Sequence, residues 1–375
     1  MNTPLRSFSS RYAGPLAGGR DASPLASLDS CREVPDISGE IGESADPRVP
    51  FGRVLDGRFL IREIVGRSGM ATIYRAHDLQ QERREVAVKV PLMKIESDPA
   101  GFARFRNEEE IGLQLGHPFL LKFYAVDGEK SRPYCVTEFL RGCTLDQLAK
   151  DARPLPEADA LKIASLVCDA LRHMHERGFV HRDLKPGNIM ICGDHTLRIL
   201  DFGLAARIMR RPSLWAKLTP LVGTPQYMAP EQVRQGRIDE RTDVYGLGAM
   251  LYELLTGITP LQDEDVWQSA YRRTTGDPVA PRMINPKISP ETEEIMLHAL
   301  RRKPGERYPT MAAFKADLDA PRKVQITGYC DRLRLPRWKL SFAATPILAG
   351  AILGFAVVLA FAIFLIVMRL RFAVR

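Results

Sequence analysis

The sequence predicts an α+β protein in which a small strand-rich half precedes a larger helical half, followed by one transmembrane helix. Three stretches carry that prediction. Residues 58–90 read as strands and turns ending in the apolar run Val86-Ala87-Val88-Lys89-Val90. From residue 157 onward the pattern is mostly helical, and residues 244–256 are almost wholly apolar, as suits a helix buried inside a large lobe. Residues 346–368 form 23 positions without a charge. At about 1.5 Å of rise per residue, that run crosses the hydrocarbon core of a bilayer.

Taken in order, residues 1–52 are rich in Ser, Pro, Gly and Ala and poor in large apolar side chains. Burial there cannot offset the entropy of ordering, so a disordered leader is expected. Order is expected to begin near Arg58-Phe59-Leu60-Ile61, within a folded domain over residues 56–320. Residues 102–115 read as a helix, with Phe102, Phe105, Ile111 and Leu115 interleaved with charge. Strand-like runs follow at 120–126 and 134–140. The last globular helix is expected to end near Leu318, before Pro321. Residues 321–345 then read as a basic juxtamembrane linker, 346–368 as the span and 369–375 as a short tail.

The formal charge of the 375-residue chain is +8, and its location matters more than its size. Residues 321–375 hold nine Lys and Arg against one acidic residue, which is the whole of the excess. A nucleic-acid binder would carry its basic face on the folded domain. Here the charge flanks an apolar run, which fits membrane lipids and excludes nucleic acid as the expected partner. Arg337, Trp338 and Lys339 before the run, and Arg369 and Arg371 after it, suit the two interfaces. Gly350 and Gly354 form a G-x-x-x-G within it, a spacing that would let two copies pair as a homodimer. The six cysteines, at 31, 135, 143, 168, 192 and 330, show neither a C-x-x-C pair nor metal-ligand spacing, so reduced thiols are expected. Residues 1–20 lack the apolar core of a signal peptide.

Chemistry concentrates in His181-Arg182-Asp183-Leu184-Lys185-Pro186-Gly187-Asn188, followed thirteen residues after the Asn by Asp201-Phe202-Gly203. With Val86-Ala87-Val88-Lys89 upstream and Gly223-Thr224-Pro225-Gln226-Tyr227-Met228-Ala229-Pro230-Glu231 downstream, the chain resembles the protein kinases over residues 58–318. Gly69-Met70 and Met228-Ala229-Pro230-Glu231-Gln232 are most similar to the bacterial, eukaryotic-like (Hanks-type) Ser/Thr kinases. The resemblance implies the two-lobed kinase fold and transfer of the γ-phosphate of ATP to Ser/Thr hydroxyls of protein substrates. It implies ATP and Mg²⁺ as cofactors, with Mn²⁺ as the alternative ion.

It also implies residue roles. Lys89 would contact the α- and β-phosphates and be held by Glu108, with Glu109 and Glu110 as register alternatives. Asp183 would accept the substrate hydroxyl's proton, and Lys185 would neutralise the γ-phosphate. Asn188 and Asp201 would hold the metal through oxygen. Ile73 and Ala87 would cover one face of the adenine and Met190 the other, with backbone groups around Glu138 and Leu140 on its edge and Thr137 guarding the back pocket. Thr224 would help form the hydroxyl-acceptor site, Glu231 would pair with Arg307, and Asp243 would hold the catalytic-loop backbone. Ser213 and Thr219 are candidate phosphosites, and Arg182 would receive a phosphate on Thr219.

Two departures stand out. The family's G-x-G-x-x-G reads here as Gly66-Arg67-Ser68-Gly69-Met70-Ala71, with Ser68 and Ala71 in place of glycines. Weaker nucleotide handling is expected, since glycines let the backbone approach phosphate. Ser68 and Ala71 are also the only support for the alternative of a membrane-anchored pseudokinase or scaffold. Second, only seven residues follow Met368, so no external sensor is expected there. The expectation is a single-pass tail anchor in the inner membrane, with the kinase domain in the cytoplasm, where ATP is.

Overall fold

Alternating burial along two strands sets the first sheet. In β3 (Ala71–Asp78), Tyr74 and Ala76 are buried while Ile73 and Arg75 are half-exposed; in β4 (Arg84–Pro91), Val86, Val88 and Val90 are buried while Ala87 and Lys89 are half-exposed. This period of two puts Tyr74, Ala76 and the three valines on one packed face and leaves Ile73, Ala87 and Lys89 on the other. The computed structural model describes residues 52–333, apart from 153, 195, 209–222 and 263–264. The expected leader (all but Gly52), the span at 346–368, Gly350, Gly354, Ser213 and Thr219 lie outside the described residues.

With β1 (Val54–Leu55), β2 (Phe59–Arg67), β5 (Phe123–Tyr124) and β6 (Cys135–Glu138), these strands form a six-stranded sheet in the order β1-β2-β3-β4-β6-β5. Every pairing in it is antiparallel, and the register sets Lys89 opposite Ile73 and Cys135, and Ala87 opposite Thr137. Phe59, Ile61, Tyr74, Val86, Val88 and Tyr134 make the core on its packed face.

Between β4 and β5 run α1 (Met93–Glu96) and α2 (Pro99–Gln114). Helix α2 starts three residues before its apolar periodicity because Asp98 caps it, accepting from the N–H groups of Ala100 and Gly101, with Pro99 at the first helical position. Its inner face carries Phe105, Glu108, Ile111 and Gly112. A Cβ at Gly112 would collide with the Phe123 ring, so α2 and β5 touch backbone to ring.

The second half is helical: α3 (Leu145–Ala152), α4 (Glu157–Glu176), α5 (Pro230–Val233), α6 (Glu240–Thr256), α7 (Val266–Arg272), α8 (Pro281–Ile284), α9 (Pro290–Ala299) and α10 (Met311–Asp319). Helix α6 is buried from Thr242 to Thr256, capped by Asp239 at its start and by Gly257 (φ 80°) at its end. It meets α9 closely at Gly248, where a Cβ would lie 2.7 Å from the Ala299 Cβ. Two small sheets, β7 (Gly142–Thr144) with β9 (Ile189–Cys192) and β10 (Leu197–Ile199), and β8 (Phe179–Val180) with β11 (Ala206–Arg207), carry the loops between the halves. The chain thus has the two-lobed layout expected of it, a β-rich N-lobe followed by a helical C-lobe.

Some expectations change. The strand-like runs at 120–126 and 134–140 shrink to Phe123–Tyr124 and Cys135–Glu138, and Leu120 makes only an isolated bridge to Ile199. After α10 the chain stays on the lobe in two 3₁₀ turns, Pro321–Lys323 and Tyr329–Arg332. There Thr327 donates from N and Oγ1 to the Glu294 carboxylate at 3.2 and 2.6 Å, and the Arg301 guanidinium lies 3.0 Å from the centre of the Tyr329 ring. Cys135, Cys168, Cys192 and Cys330 are free, but Cys143 is disulfide-bonded, against the expectation of reduced thiols throughout. A bridge needs proximity in space, which sequence spacing does not report. No helix among the described residues is long and apolar enough to cross a membrane.

Candidate active site

Lys89 extends from the half-exposed face of β4, and its Nζ lies 2.7 and 2.6 Å from Glu108 Oε1 and Oε2. Such distances are those of a charge-assisted pair. Burial disfavours the ammonium, but attraction to Glu108 and Asp201 outweighs it and raises the Lys89 pKa above its usual value. The neighbouring glutamates are turned elsewhere: Glu109 pairs with Lys130 at 2.6 Å, and Glu110 is exposed. One turn of α2 therefore distinguishes Glu108 from its neighbours.

The loop between β8 and β9 is held from below by α6. Asp243, 1% exposed, accepts the backbone N–H of Arg182 on Oδ1 and that of His181 on Oδ2, both at 2.9 Å, and its Oδ2 lies 2.8 Å from His175 Nε2. Burial opposes ionisation of this carboxyl, but His175, His181 and the backbone donors prevail and keep it below the ordinary aspartate value. Arg182 (φ 71°) and Asp201 (φ 62°) both adopt the left-handed conformation, which non-glycine residues seldom take without support from the surroundings.

Asp183 is buried at the centre of the loop. Its Oδ1 accepts the N–H of Thr224 at 2.9 Å, and its Oδ2 lies 3.0 Å from Lys185 Nζ and 3.2 Å from Asn188 Nδ2. Burial pushes this carboxyl up, but Lys185 and Thr224 outweigh it and hold the pKa below the usual 3.8. Lys185 also donates to Thr224 Oγ1 at 2.8 Å. A carboxylate, an ammonium and a hydroxyl thus meet within hydrogen-bonding distance, from segments 39 residues apart.

Asn188 closes a 3₁₀ turn (Pro186–Asn188) and donates to the Asp183 carbonyl at 2.8 Å. Asp201 follows β10; its Oδ1 accepts from Gly203 N at 3.1 Å, and no hydrogen bond to its Oδ2 is present among the described residues. Phe202 is fully buried, with its ring 5.8 Å from that of Phe123 and 6.0 Å from that of His181. The oxygens of Asn188 and Asp201 are hard donors of the kind Mg²⁺ prefers. No group of three or more His, Cys, Asp or Glu side chains suited to a metal occurs among the described residues. A metal held by Asn188 and Asp201 would need phosphate and water for its remaining ligands.

Glu231 on α5 meets Arg307 in a bidentate pair, both contacts at 2.8 Å, and accepts a third bond from Thr242 Oγ1 at 2.9 Å. Gln232 bridges the same region to the His181–Asn188 loop, donating to the Arg182 carbonyl at 2.9 Å. Beside Lys185 and Thr224 a cavity of about 590 Å³ opens, lined also by Gly187, Tyr227, Asp146 and Glu253.

At the tip of the β2–β3 hairpin, Ser68 turns its hydroxyl inward. Its Oγ accepts the N–H groups of Met70 and Ala71 at 3.3 and 3.1 Å, and Ser68 N donates to the Ala71 carbonyl at 2.9 Å. Gly66 has Ile73 Cδ1 3.7 Å from where its Cβ would stand, and Gly69 has open space. Ile73, Ala87, Met190 and Leu140 are half-buried, and Thr137 is buried with its Oγ1 donating to the Glu138 carbonyl at 3.2 Å. The Glu138 side chain is occupied by Arg198, at 3.0 Å.

Sequence reasoning missed Asn107, His175 and Gln232. Only the last stands in a recognisable stretch, beside Glu231.

Residues 59–318 match the family described as Protein kinase domain. The chain is similar to "Serine/threonine-protein kinase PknB" of Mycobacterium leprae, 36% identical over 268 residues, covering 70% of this chain and 43% of that protein. It is also similar to "Serine/threonine-protein kinase PknB" of Mycobacterium tuberculosis, 35% identical over 269 residues (70% and 43%). "Serine/threonine-protein kinase PrkC" of Bacillus subtilis is 32% identical over 268 residues (72% and 41%). The match spans less than half the length of these curated relatives.

Proposed function

The chain belongs to the protein kinase domain family, and on that premise we propose that it is a serine/threonine protein kinase that phosphorylates proteins, itself included. The observation that carries this reading is the ionised Asp183 beside Lys185 and Thr224. Bound ATP with Mg²⁺ supplies the phosphoryl group and compensates its charge. Asp183 accepts the substrate hydroxyl's hydrogen bond and then its proton, and Lys185 faces the negative charge of the phosphoryl oxygens. Lys89, kept in place by Glu108, binds the α- and β-phosphates, and Asn188 and Asp201 hold the metal. Ile73, Ala87 and Met190 take the adenine, with the backbone of Glu138 and Leu140 at its edge. The cavity beside Lys185 and Thr224 receives the Ser- or Thr-bearing protein segment.

Regulation follows from Arg182. Its Nε is buried without a hydrogen-bond partner among the described residues, as a site awaiting an anion would be. Phosphorylated Thr219 is its intended partner, and unchanged activity in Thr219→Ala would remove that idea. The 23 uncharged residues at 346–368 and their basic flanks support a single membrane span, with the kinase domain on the cytoplasmic side, where anionic lipids meet the basic linker. Gly350 and Gly354 support pairing of two such spans as a homodimer.

The test is incubation of the purified chain with Mg²⁺ and ATP, alongside Asp183→Asn, followed by phosphosite mapping. Transfer by the unaltered chain and its loss in the variant are expected; no transfer by the unaltered chain would leave the pseudokinase reading, drawn from Ser68 and Ala71, in its place.

A further inference from the structure

Asn107 precedes Glu108 on α2, and its side chain reaches across to the segment that follows Asp201. Its Nδ2 lies 2.9 Å from the carbonyl oxygen of Ala205, 3.4 Å from that of Gly203 and 3.5 Å from that of Phe202. Three acceptors converge on one position, so the amide nitrogen, not its oxygen, belongs there. The two elements are already close: a Cβ on Gly203 would sit 3.2 Å from Asp201 Oδ1, 3.7 Å from the Arg104 carbonyl and 3.8 Å from Glu108 Oε2.

That closeness has an electrostatic cost. Glu108 and Asp201 are two carboxylates drawn to the same ammonium, Lys89, and they repel each other. Lys89 contacts Glu108 directly, so the Asp201 segment needs another hold on α2. Asn107 provides it with a neutral donor, bonded to backbone rather than to either carboxylate. Turning α2 outward would break the Lys89–Glu108 pair and the Asn107 contacts together.

We propose that Asn107 is a positioning residue that ties helix α2 to the Asp201-Phe202-Gly203 segment, so that the Lys89–Glu108 pair and the metal-binding carboxylate are assembled as one unit. The proposal deepens the kinase reading and rests on it for the roles of Lys89 and Asp201. A molecule in which the unit is assembled only part of the time binds Mg²⁺-ATP more weakly in proportion to the lost fraction.

The experiment measures ATP affinity of the full chain by titration calorimetry, with Mg²⁺ and with EDTA, for the unaltered protein, Asn107→Ala and Asn107→Asp. Loss of one neutral hydrogen bond should weaken Mg²⁺-dependent binding roughly two- to tenfold in Asn107→Ala. Binding in EDTA, which feels only the Lys89–Glu108 half of the unit, should weaken less than binding with Mg²⁺, and the melting temperature should stay close to that of the unaltered protein. Asn107→Asp, which has the same shape but sets a third carboxylate against carbonyl oxygens, should lose more than Asn107→Ala. Equal Mg²⁺-ATP affinity in all three proteins overturns the proposal. So does a parallel fall in melting temperature and in binding with and without Mg²⁺, which would mark Asn107 as packing only. The titration needs no phosphoryl transfer, so failure of the unaltered protein to transfer phosphate would count against the kinase reading alone.

Discussion

The ammonium of Lys185 lies 2.8 Å from the hydroxyl of Thr224. This contact joins the catalytic loop to the last turn before α5, and it fixes both groups around Asp183. Thr224→Val keeps the shape of the side chain but removes the acceptor. A hydrogen bond to a charged group is worth about 1.5–3 kcal/mol, so kcat for a peptide substrate should fall roughly ten- to a hundredfold. Thr224→Ser should retain most activity. Steady-state peptide phosphorylation checks both.

Ser68 occupies two backbone N–H groups at the tip of the β2–β3 hairpin. Those are the donors a phosphate would use. Ser68→Gly should release them and tighten ATP binding by roughly threefold, the scale of one modest hydrogen bond. Weaker binding, measured by calorimetry, would instead mean that the Ser68 hydroxyl holds the loop in its useful shape.

Arg307 leaves Glu231 no other cationic partner among the described residues. Arg307→Ala should therefore destabilise the fold by about 3–5 kcal/mol, because a buried carboxylate is left uncompensated. Glu231→Ala should cost less, because the guanidinium keeps its bonds to the carbonyls of Arg301, Arg241 and Arg302. The double variant should lose less than the sum of the two, and a urea-denaturation cycle measures the difference.

His117 accepts the Phe119 N–H on Nδ1 at 3.2 Å, which requires that nitrogen to be unprotonated. Burial first, then His173, lowers its pKa from 6.5 to about 4. The unfolded chain thus binds a proton that the folded chain refuses over that interval. Stability is full above about pH 6.5 and declines as the pH falls towards about 4. Melting temperatures across that range should show the slope, and His117→Asn should flatten it.

How much of this could be read from sequence depends on how far apart the interacting residues lie. Asp183, Lys185 and Asn188 share one short stretch, so their chemistry is visible as a word. Glu108 was visible as one of three adjacent glutamates, and helix geometry separated it from Glu109, which faces Lys130. Asn107 was invisible, because its acceptors lie 95 to 98 residues away and an asparagine on a helix carries no signature. The run at 120–126 misled for a different reason. Leu120 is buried like a strand residue, but it makes a single bridge instead of a ladder, and apolarity alone does not distinguish the two. Residues 321–332 read as linker from their basic charge, whereas Thr327 and Tyr329 bind them to the lobe.

Helix α6 gives Asp243 no freedom of its own. The helix is buried along nearly its whole length and meets α9 at Gly248 with no space for a methyl group. Lesions far from any reacting atom, such as Gly248→Ala, should therefore act as loss-of-function alleles by tilting the catalytic loop before the lobe unfolds. On slow heating, enzymatic output would then serve as an early alarm for the C-lobe interior, fading ahead of the bulk melting signal.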